Sequence, residues 1–187
     1  SETAPIIFTT KIGAAGKATI THNHSSNRNE NYTVQFGPNA NWYILDNLNI
    51  YSGSGSSTPY LTVLGFEDGA SNNTVTNCNL STKVTSYFST TNYAAIVSNR
   101  FNGNTNPDND NNNFLNNRVE YGSFGFYFVN GGDENHYEGN TVKNPYYMGF
   151  YSDNAEGPTF VENTILSSST YTNGYGIYVL NSDEKPF

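Results

Sequence analysis

Short apolar runs alternate with polar turns along the chain, and towards the C-terminus they recur at a nearly fixed spacing. The tripeptides Gly125-Phe126-Tyr127, Gly149-Phe150-Tyr151 and Gly176-Ile177-Tyr178 repeat one motif, 24 and then 27 residues apart. A second motif repeats between them, as Gly139-Asn140-Thr141-Val142 and then Glu162-Asn163-Thr164-Ile165. Self-similarity at a period of this size predicts a stack of structural repeats.

The repeat extends towards the N-terminus when the chain is aligned on the apolar residue that ends the second motif. These apolar residues are separated by 30, 39, 23 and 23 residues: Ile50, Leu80, Val119, Val142 and Ile165. Two residues earlier, the aligned residues are Leu48, Cys78, Asn117, Asn140 and Asn163. Five residues earlier, they are Leu45, Val75, Phe114, Tyr137 and Phe160. One unit is therefore about 23 residues long, and the longer gaps indicate inserted loops.

The pattern within one unit predicts strands. Apolar and polar residues alternate in short runs rich in Tyr, Phe, Val, Ile and Thr, and Asn, Gly, Ser and Asp interrupt the runs. A unit of this length suits two or three short strands joined by tight turns, which make one turn, or rung, of a parallel β-helix. We therefore expect an all-β parallel β-helix of about six to seven rungs with loop insertions. Its interior should contain a column of Cys78 and the aligned asparagines, hydrogen-bonded from rung to rung.

Composition narrows the class of protein. The 187 residues and 20.6 kDa suit a single domain over 1–187, in which 15 Tyr and 12 Phe supply much of the buried surface. A net charge of −8 with eight Lys plus Arg argues against a nucleic-acid partner and against an anionic membrane. The single cysteine excludes an internal disulfide, and neither a signal peptide nor a membrane span is visible. Phe187 aligns with Phe160, so we expect a fragment of a longer chain that is cut within a rung.

Four segments carry a resemblance to a known family: Ile6-Ile7-Phe8-Thr9-Thr10, Lys17-Ala18-Thr19-Ile20-Thr21, Asn41–Ile50 and Asn72–Leu80. They resemble the right-handed parallel β-helix regions of large secreted proteins of Bacteroidota. The resemblance covers essentially the whole chain. It implies right-handed winding and an extracellular, cell-surface or adhesin-like protein. It also implies export by the type IX secretion machinery and, in some members, a link to gliding motility. The sorting domain of such proteins is not seen. A wider resemblance is to pectate-lyase-like β-helix proteins, which include polysaccharide lyases and glycoside hydrolases.

One column of acidic residues is the candidate for a metal site. Four residues before the aromatic position of successive units lie Asp110, Asp133, Glu156 and Asp183. Stacked carboxylates about 4.8 Å apart repel one another, so they must splay into water, bind protons more tightly or share a cation. Hard oxygen ligands suit Ca²⁺, and Asp108 could add a ligand, although the segment lacks the pattern of an EF-hand. The alternative is a solvated acidic edge that keeps the rungs soluble.

The sequence is compatible with two functions. The first is a non-catalytic surface module, a rigid spacer or an adhesin segment whose partner would be an extracellular glycan or a surface protein. The second is a carbohydrate-active enzyme, because carboxylates on adjacent rungs would lie near the separation found in retaining glycosidases. A lyase would also need a base, for which His136 is the nearest candidate beyond Asp133. Surface tyrosines such as Tyr147 and Tyr151 could stack on sugar rings or cover neighbouring rungs.

Overall fold

The chain forms three parallel β-sheets of six strands each, in a computed structural model that describes residues 4–23, 32–53, 62–84, 94–98 and 108–183. Sheet A contains β1 (Ile6–Thr9), β4 (Tyr43–Asp46), β7 (Thr74–Thr76), β10 (Asn113–Leu115), β13 (His136–Glu138) and β16 (Thr159–Val161). Sheet B contains β2 (Ala18–Asn23), β5 (Leu48–Gly53), β8 (Asn79–Ser81), β11 (Arg118–Glu120), β14 (Thr141–Lys143) and β17 (Thr164–Leu166). Sheet C contains β3 (Tyr32–Phe36), β6 (Thr62–Phe66), β9 (Ile96–Ser98), β12 (Phe124–Val129), β15 (Met148–Asp153) and β18 (Tyr175–Leu180).

Successive strands enter sheets A, B and C in turn, so each rung gives one strand to each sheet. Each of these strands pairs in parallel with the equivalent strands of the neighbouring rungs, which is the architecture of a parallel β-helix, with six rungs in the described part of the chain. The predicted fold class is therefore confirmed. Phe187, on which the prediction of a cut within a rung was based, lies outside the described residues.

The predicted alignment is the observed register. In sheet B, Val119 pairs with Leu80 on one side and with Val142 on the other. In sheet A, Phe114 pairs in the same way with Val75 and Tyr137. All six side chains are buried. The repeat also begins one rung earlier than the sequence alignment found, because the following pairs extend both columns: Ile20 with Ile50, and Phe8 with Leu45.

The turn from sheet A to sheet B explains the abundance of asparagine. Its first residue has a positive φ of 51° to 63° in five rungs: Asn47, Asn77, Asn116, Gly139 and Glu162. Asparagine and glycine tolerate this left-handed conformation better than other residues, so they favour a sharp bend at the same place in each rung.

The motif Gly-Phe-Tyr has a packing cause near the start of β12 and β15. A Cβ atom at Gly149 would lie 2.6 Å from the carbonyl oxygen of Gly176 and 3.0 Å from the Ile165 side chain. The next residue points into the core, where the Phe126 and Phe150 rings stack at 4.6 Å. The tyrosine that follows belongs to a separate cluster on the other face of the sheet. The glycine is thus explained by close approach of the backbone, the middle residue by packing in the core and the tyrosine by packing on the outer face.

Candidate functional site

The predicted asparagine column is a continuous hydrogen-bonded ladder, which we call the inner ladder (Cys78, Asn117, Asn140 and Asn163). Asn140 is fully buried, and its Oδ1 accepts hydrogen bonds from the Asn117 backbone N at 3.0 Å and Nδ2 at 3.1 Å. The Nδ2 of Asn140 donates to the Phe114 carbonyl oxygen at 2.8 Å and to Asn163 Oδ1 at 2.9 Å. Each asparagine thus satisfies backbone groups of the preceding rung that would otherwise be buried without partners.

Cys78 is the N-terminal member of the inner ladder. Its backbone N donates to Asn117 Oδ1 at 2.9 Å, and its Sγ lies 3.6 Å from the Leu45 carbonyl oxygen. Burial raises the pKa of the thiol, which keeps it protonated. The predicted place of Cys78 in the interior column agrees with this environment.

A second asparagine ladder, which sequence reasoning missed, precedes the strands of sheet A (Asn73, Asn112 and Asn135). Asn112 Oδ1 accepts from the Asn73 backbone N at 2.9 Å, and Asn135 Oδ1 accepts from the Asn112 backbone N at 2.7 Å. All three side chains are buried. The signal was present in the sequence, because each of these residues lies seven positions before the aligned apolar residue of its unit.

The acidic column lies on an outer edge and also bonds to the backbone. Asp110 Oδ1 accepts from the backbone N of Gly132 at 3.1 Å and of Asp133 at 2.9 Å. Asp133 Oδ1 in turn accepts from the Glu156 backbone N at 2.7 Å. Asp183 continues the register through its carbonyl oxygen, which accepts from the Gly157 backbone N at 3.0 Å.

Two neutral residues perform the same task on earlier rungs. Asn41 Oδ1 accepts from the Ser71 backbone N at 2.8 Å, and Ser71 Oγ accepts from the Asp110 backbone N at 2.9 Å. We call the whole series the outer ladder (Asn41, Ser71, Asp110, Asp133 and Glu156). Because an amide and a hydroxyl replace the carboxylate here, bracing the backbone does not require the negative charge.

The negative charge of the acidic residues nevertheless affects the pKa of Asp110. Burial raises the pKa of Asp110, and the neighbouring Asp133 carboxylate raises it further, against the lowering effect of the backbone hydrogen bonds. Asp108 lies beside this pair, where its carbonyl oxygen accepts a hydrogen bond from Ser71 Oγ. Within the described ranges, no three His, Cys, Asp or Glu side chains come close enough together to hold a metal ion. Calcium binding by Asp108, Asp110, Asp133, Glu156 and Asp183 stays a prediction.

The outer tyrosines of sheet C stack on one another. The rings of Tyr127 and Tyr151 lie 4.9 Å apart and are inclined by 7°, and Tyr178 follows Tyr151 at 5.8 Å and 22°. Parallel stacking turns the ring faces along the axis of the helix and leaves their edges to solvent. This geometry favours a lateral ladder that covers the rungs over a platform for sugar rings.

His136 lies on the outer face of sheet A and contacts different groups from those that the sequence suggested. Its Nε2 lies 2.8 Å from Glu138 Oε2, and its Nδ1 lies 2.5 Å from the Thr159 hydroxyl. Both contacts lie along the sheet face, and the carboxylate of the outer ladder nearest in sequence, Asp133, is engaged with the Glu156 backbone. The described contacts therefore pair His136 with Glu138 and Thr159 rather than with the acidic column.

An open groove of about 550 Å³ lies along the edge of sheet A at which the strands β1, β4, β7 and β10 begin. Its lining includes Trp42, Ile44, Asn72, Thr74, Asn111 and Asn113. Trp42 is 48% exposed and has a φ of +68°. No sequence motif indicates this groove, because its residues come from four successive rungs.

Comparisons with known proteins do not assign the chain to a family: no family model, no curated protein and no solved structure matches it. In the part of the chain that the structure describes, there is no helix with the length and apolarity needed to cross a membrane.

Proposed function

We propose that the chain is a non-catalytic, extracellular β-helix module of a cell-surface protein, which acts as a rigid spacer or adhesin segment and binds glycans. The proposal is based on one observation: the repeated asparagine and acidic side chains stabilise the backbone of the β-helix. The asparagines and acidic residues that would suggest chemistry bond to the backbone of neighbouring rungs. Such a molecule is suited to hold its surface at a fixed distance and orientation.

The proposed location rests on the resemblance to secreted β-helix regions of Bacteroidota. We propose export by the type IX secretion machinery and attachment at the cell surface. An antibody raised against this chain should label intact cells of the source organism, and the labelling should disappear in a strain that lacks that machinery. Labelling that appears only after the cells are permeabilised would contradict the surface location.

Glycan binding without turnover separates this function from its alternative. On a glycan array the protein should bind at least one saccharide, and incubation with the same saccharide should release no shorter product. The alternative, a carbohydrate-active enzyme, is favoured by one observation: Asp110 lies directly beside Asp133 on the next rung and has a raised pKa, which suits a general acid with a second carboxyl group nearby. Product release that D110N and D133N both abolish would establish the enzyme and refute the module.

A further inference from the structure

We propose that the groove beside Trp42 is the glycan site of this module and that it takes a neutral saccharide, with the indole as the stacking platform and three asparagine amides as hydrogen-bonding groups. This inference rests on the proposed function, because it locates the glycan binding that the function requires.

The backbone of Trp42 is the first reason. The equivalent position on the next two rungs is occupied by Asn72 and Asn111, with φ values of 58° and 54°. Asparagine adopts this left-handed conformation at low cost, whereas a bulky aromatic residue there is a genuine outlier. The strain is of the order of 1–3 kcal/mol, and such strain is typical of functional positions. The turn therefore does not explain why this rung has a tryptophan.

The exposure of the ring is the second reason. Trp42 is the only tryptophan of the chain, and about half of its surface is exposed. Tyr127 and Tyr151 cover each other's faces, whereas the indole of Trp42 stacks on no aromatic ring among the described residues. An exposed aromatic face of this size is well suited to the C–H face of a pyranose ring.

The polar groups beside the indole are the third reason. The side-chain amides of Asn72, Asn111 and Asn113 form no hydrogen bond to another residue in the described ranges, so they can donate to and accept from a ligand. Asn111 follows Asn72 one rung further along the same column, and Asn113 lies two residues beyond Asn111. Their backbone groups are already bonded, Asn72 N to the Asp110 carbonyl oxygen at 3.0 Å and Asn113 N to the Asn73 carbonyl oxygen at 2.8 Å. The amides are thus held on a fixed backbone.

The absence of charge in the lining selects the ligand. All the lining residues that the structure describes are neutral, in a chain with a net charge of −8. A phosphate or a uronate would need a cationic partner, and a cationic ligand would need a carboxylate. A ligand rich in hydroxyl groups needs only amides and an apolar face, and the volume of about 550 Å³ lies within the usual range for small-ligand sites.

The single tryptophan makes the test direct, because selective excitation of the indole reports on Trp42 alone. Neutral cello-, xylo-, malto- and chito-oligosaccharides are titrated against the protein, with polygalacturonate as the charged comparison. We expect a shift of tryptophan emission with at least one neutral oligosaccharide and none with polygalacturonate. Isothermal titration calorimetry of the same oligosaccharide should show at least tenfold weaker binding to W42N and to N111A.

The W42N variant separates binding from folding. Asparagine suits the left-handed turn, so the thermal midpoint of W42N should equal or exceed that of the wild type while binding is lost. Y151L, which changes an aromatic side chain on sheet C, is the matched control and should bind as the wild type does. Binding that survives in W42N overturns the location but leaves the glycan-binding function standing. If neither this panel nor the array shows any binding, both the site and the glycan-binding function are overturned.

Discussion

The turn from sheet A to sheet B and the turn from sheet B to sheet C differ in how strictly their length is kept. In rungs three to six the first turn always has two residues between its strands, the pairs 77–78, 116–117, 139–140 and 162–163. The second turn has three residues at 121–123, four at 144–147 and eight at 167–174. The inner ladder passes through the first turn only. A turn is therefore fixed in length where its side chains must reach the backbone of the neighbouring rung, and elsewhere it is free to vary.

Insertion of Gly-Ser into each of the two turns should give the largest difference in the free energy of unfolding. Between Gly139 and Asn140 the insertion displaces Asn140 from four hydrogen bonds within the core, so we expect a loss of more than about 4 kcal/mol in the free energy of unfolding. Between Thr172 and Asn173 the same insertion lengthens an exposed turn and should cost less than about 1 kcal/mol. Urea unfolding measures both. Equal losses would refute the distinction between the turns.

Truncation of a single asparagine should have the next largest effect. N140A leaves the Asn117 backbone N–H and the Phe114 carbonyl buried without partners, and we expect a loss of about 3 kcal/mol. N173A removes the same side chain from the exposed turn between sheets B and C and should change stability by less than about 0.5 kcal/mol. Chemical denaturation of the two variants gives the comparison. If N140A is no worse than N173A, the inner ladder contributes nothing to stability.

Addition of one methyl group at the start of sheet C should have a moderate effect. G149A forces its Cβ against the Gly176 carbonyl oxygen at 2.6 Å, so we expect a loss of about 2 kcal/mol. The control is G176A, whose Cβ would meet only the Ile165 side chain at an ordinary 3.5 Å and should be tolerated. Thermal unfolding of both variants measures the difference. Equal midpoints would show that close backbone approach does not explain the repeated glycine.

Neutralisation of one carboxylate should have the smallest effect. Burial raises the pKa of Asp110 in the folded state, so the folded protein binds its proton more tightly than the unfolded chain. The contribution of Asp110 to the free energy of unfolding is therefore greatest at low pH and falls as the pH rises through its raised pKa. D110N keeps an acceptor for the Asp133 N–H and should gain a few tenths of a kcal/mol at neutral pH, because the group is partly exposed. Thermal unfolding from acid to neutral pH should show a flatter profile for D110N.

The same variant tests the predicted cation site. If calcium bridges the acidic residues, millimolar Ca²⁺ after EDTA treatment should raise the midpoint of the wild type and much less that of D110N. An unchanged wild-type midpoint would refute the cation site and leave the acidic residues as backbone acceptors on a solvated edge.

The sequence predicted the fold because the repeat places chemically similar residues at equal intervals. Val119 and Val142 occupy the same position in two units, and the parallel pairing follows directly from stacking those units. The partners of polar side chains were harder to predict, because they depend on contacts between rungs. The sequence suggests Asp133 as a metal ligand, whereas the structure shows that its carboxylate accepts a hydrogen bond from the backbone N–H of Glu156.

Conformation also limited the prediction of the candidate site. Tryptophan does not signal a left-handed turn, so nothing in the sequence set Trp42 apart from a core aromatic residue. Its neighbours Asn72 and Asn111 come from later rungs and become adjacent only through the helical winding. A groove assembled across rungs is visible only when the rungs are stacked.

The equal spacing of Asn117, Asn140 and Asn163 bears on how genes for such proteins change. Duplication or loss of one 23-residue segment brings in or removes one complete set of ladder residues and leaves every other set in register. One codon more or less in the turn from sheet A to sheet B would misplace the buried asparagine of that rung, whereas the turn from sheet B to sheet C absorbs such a change. Changes of length are therefore expected as whole units or within that second turn, and each whole unit changes the length of the molecule by about 4.8 Å.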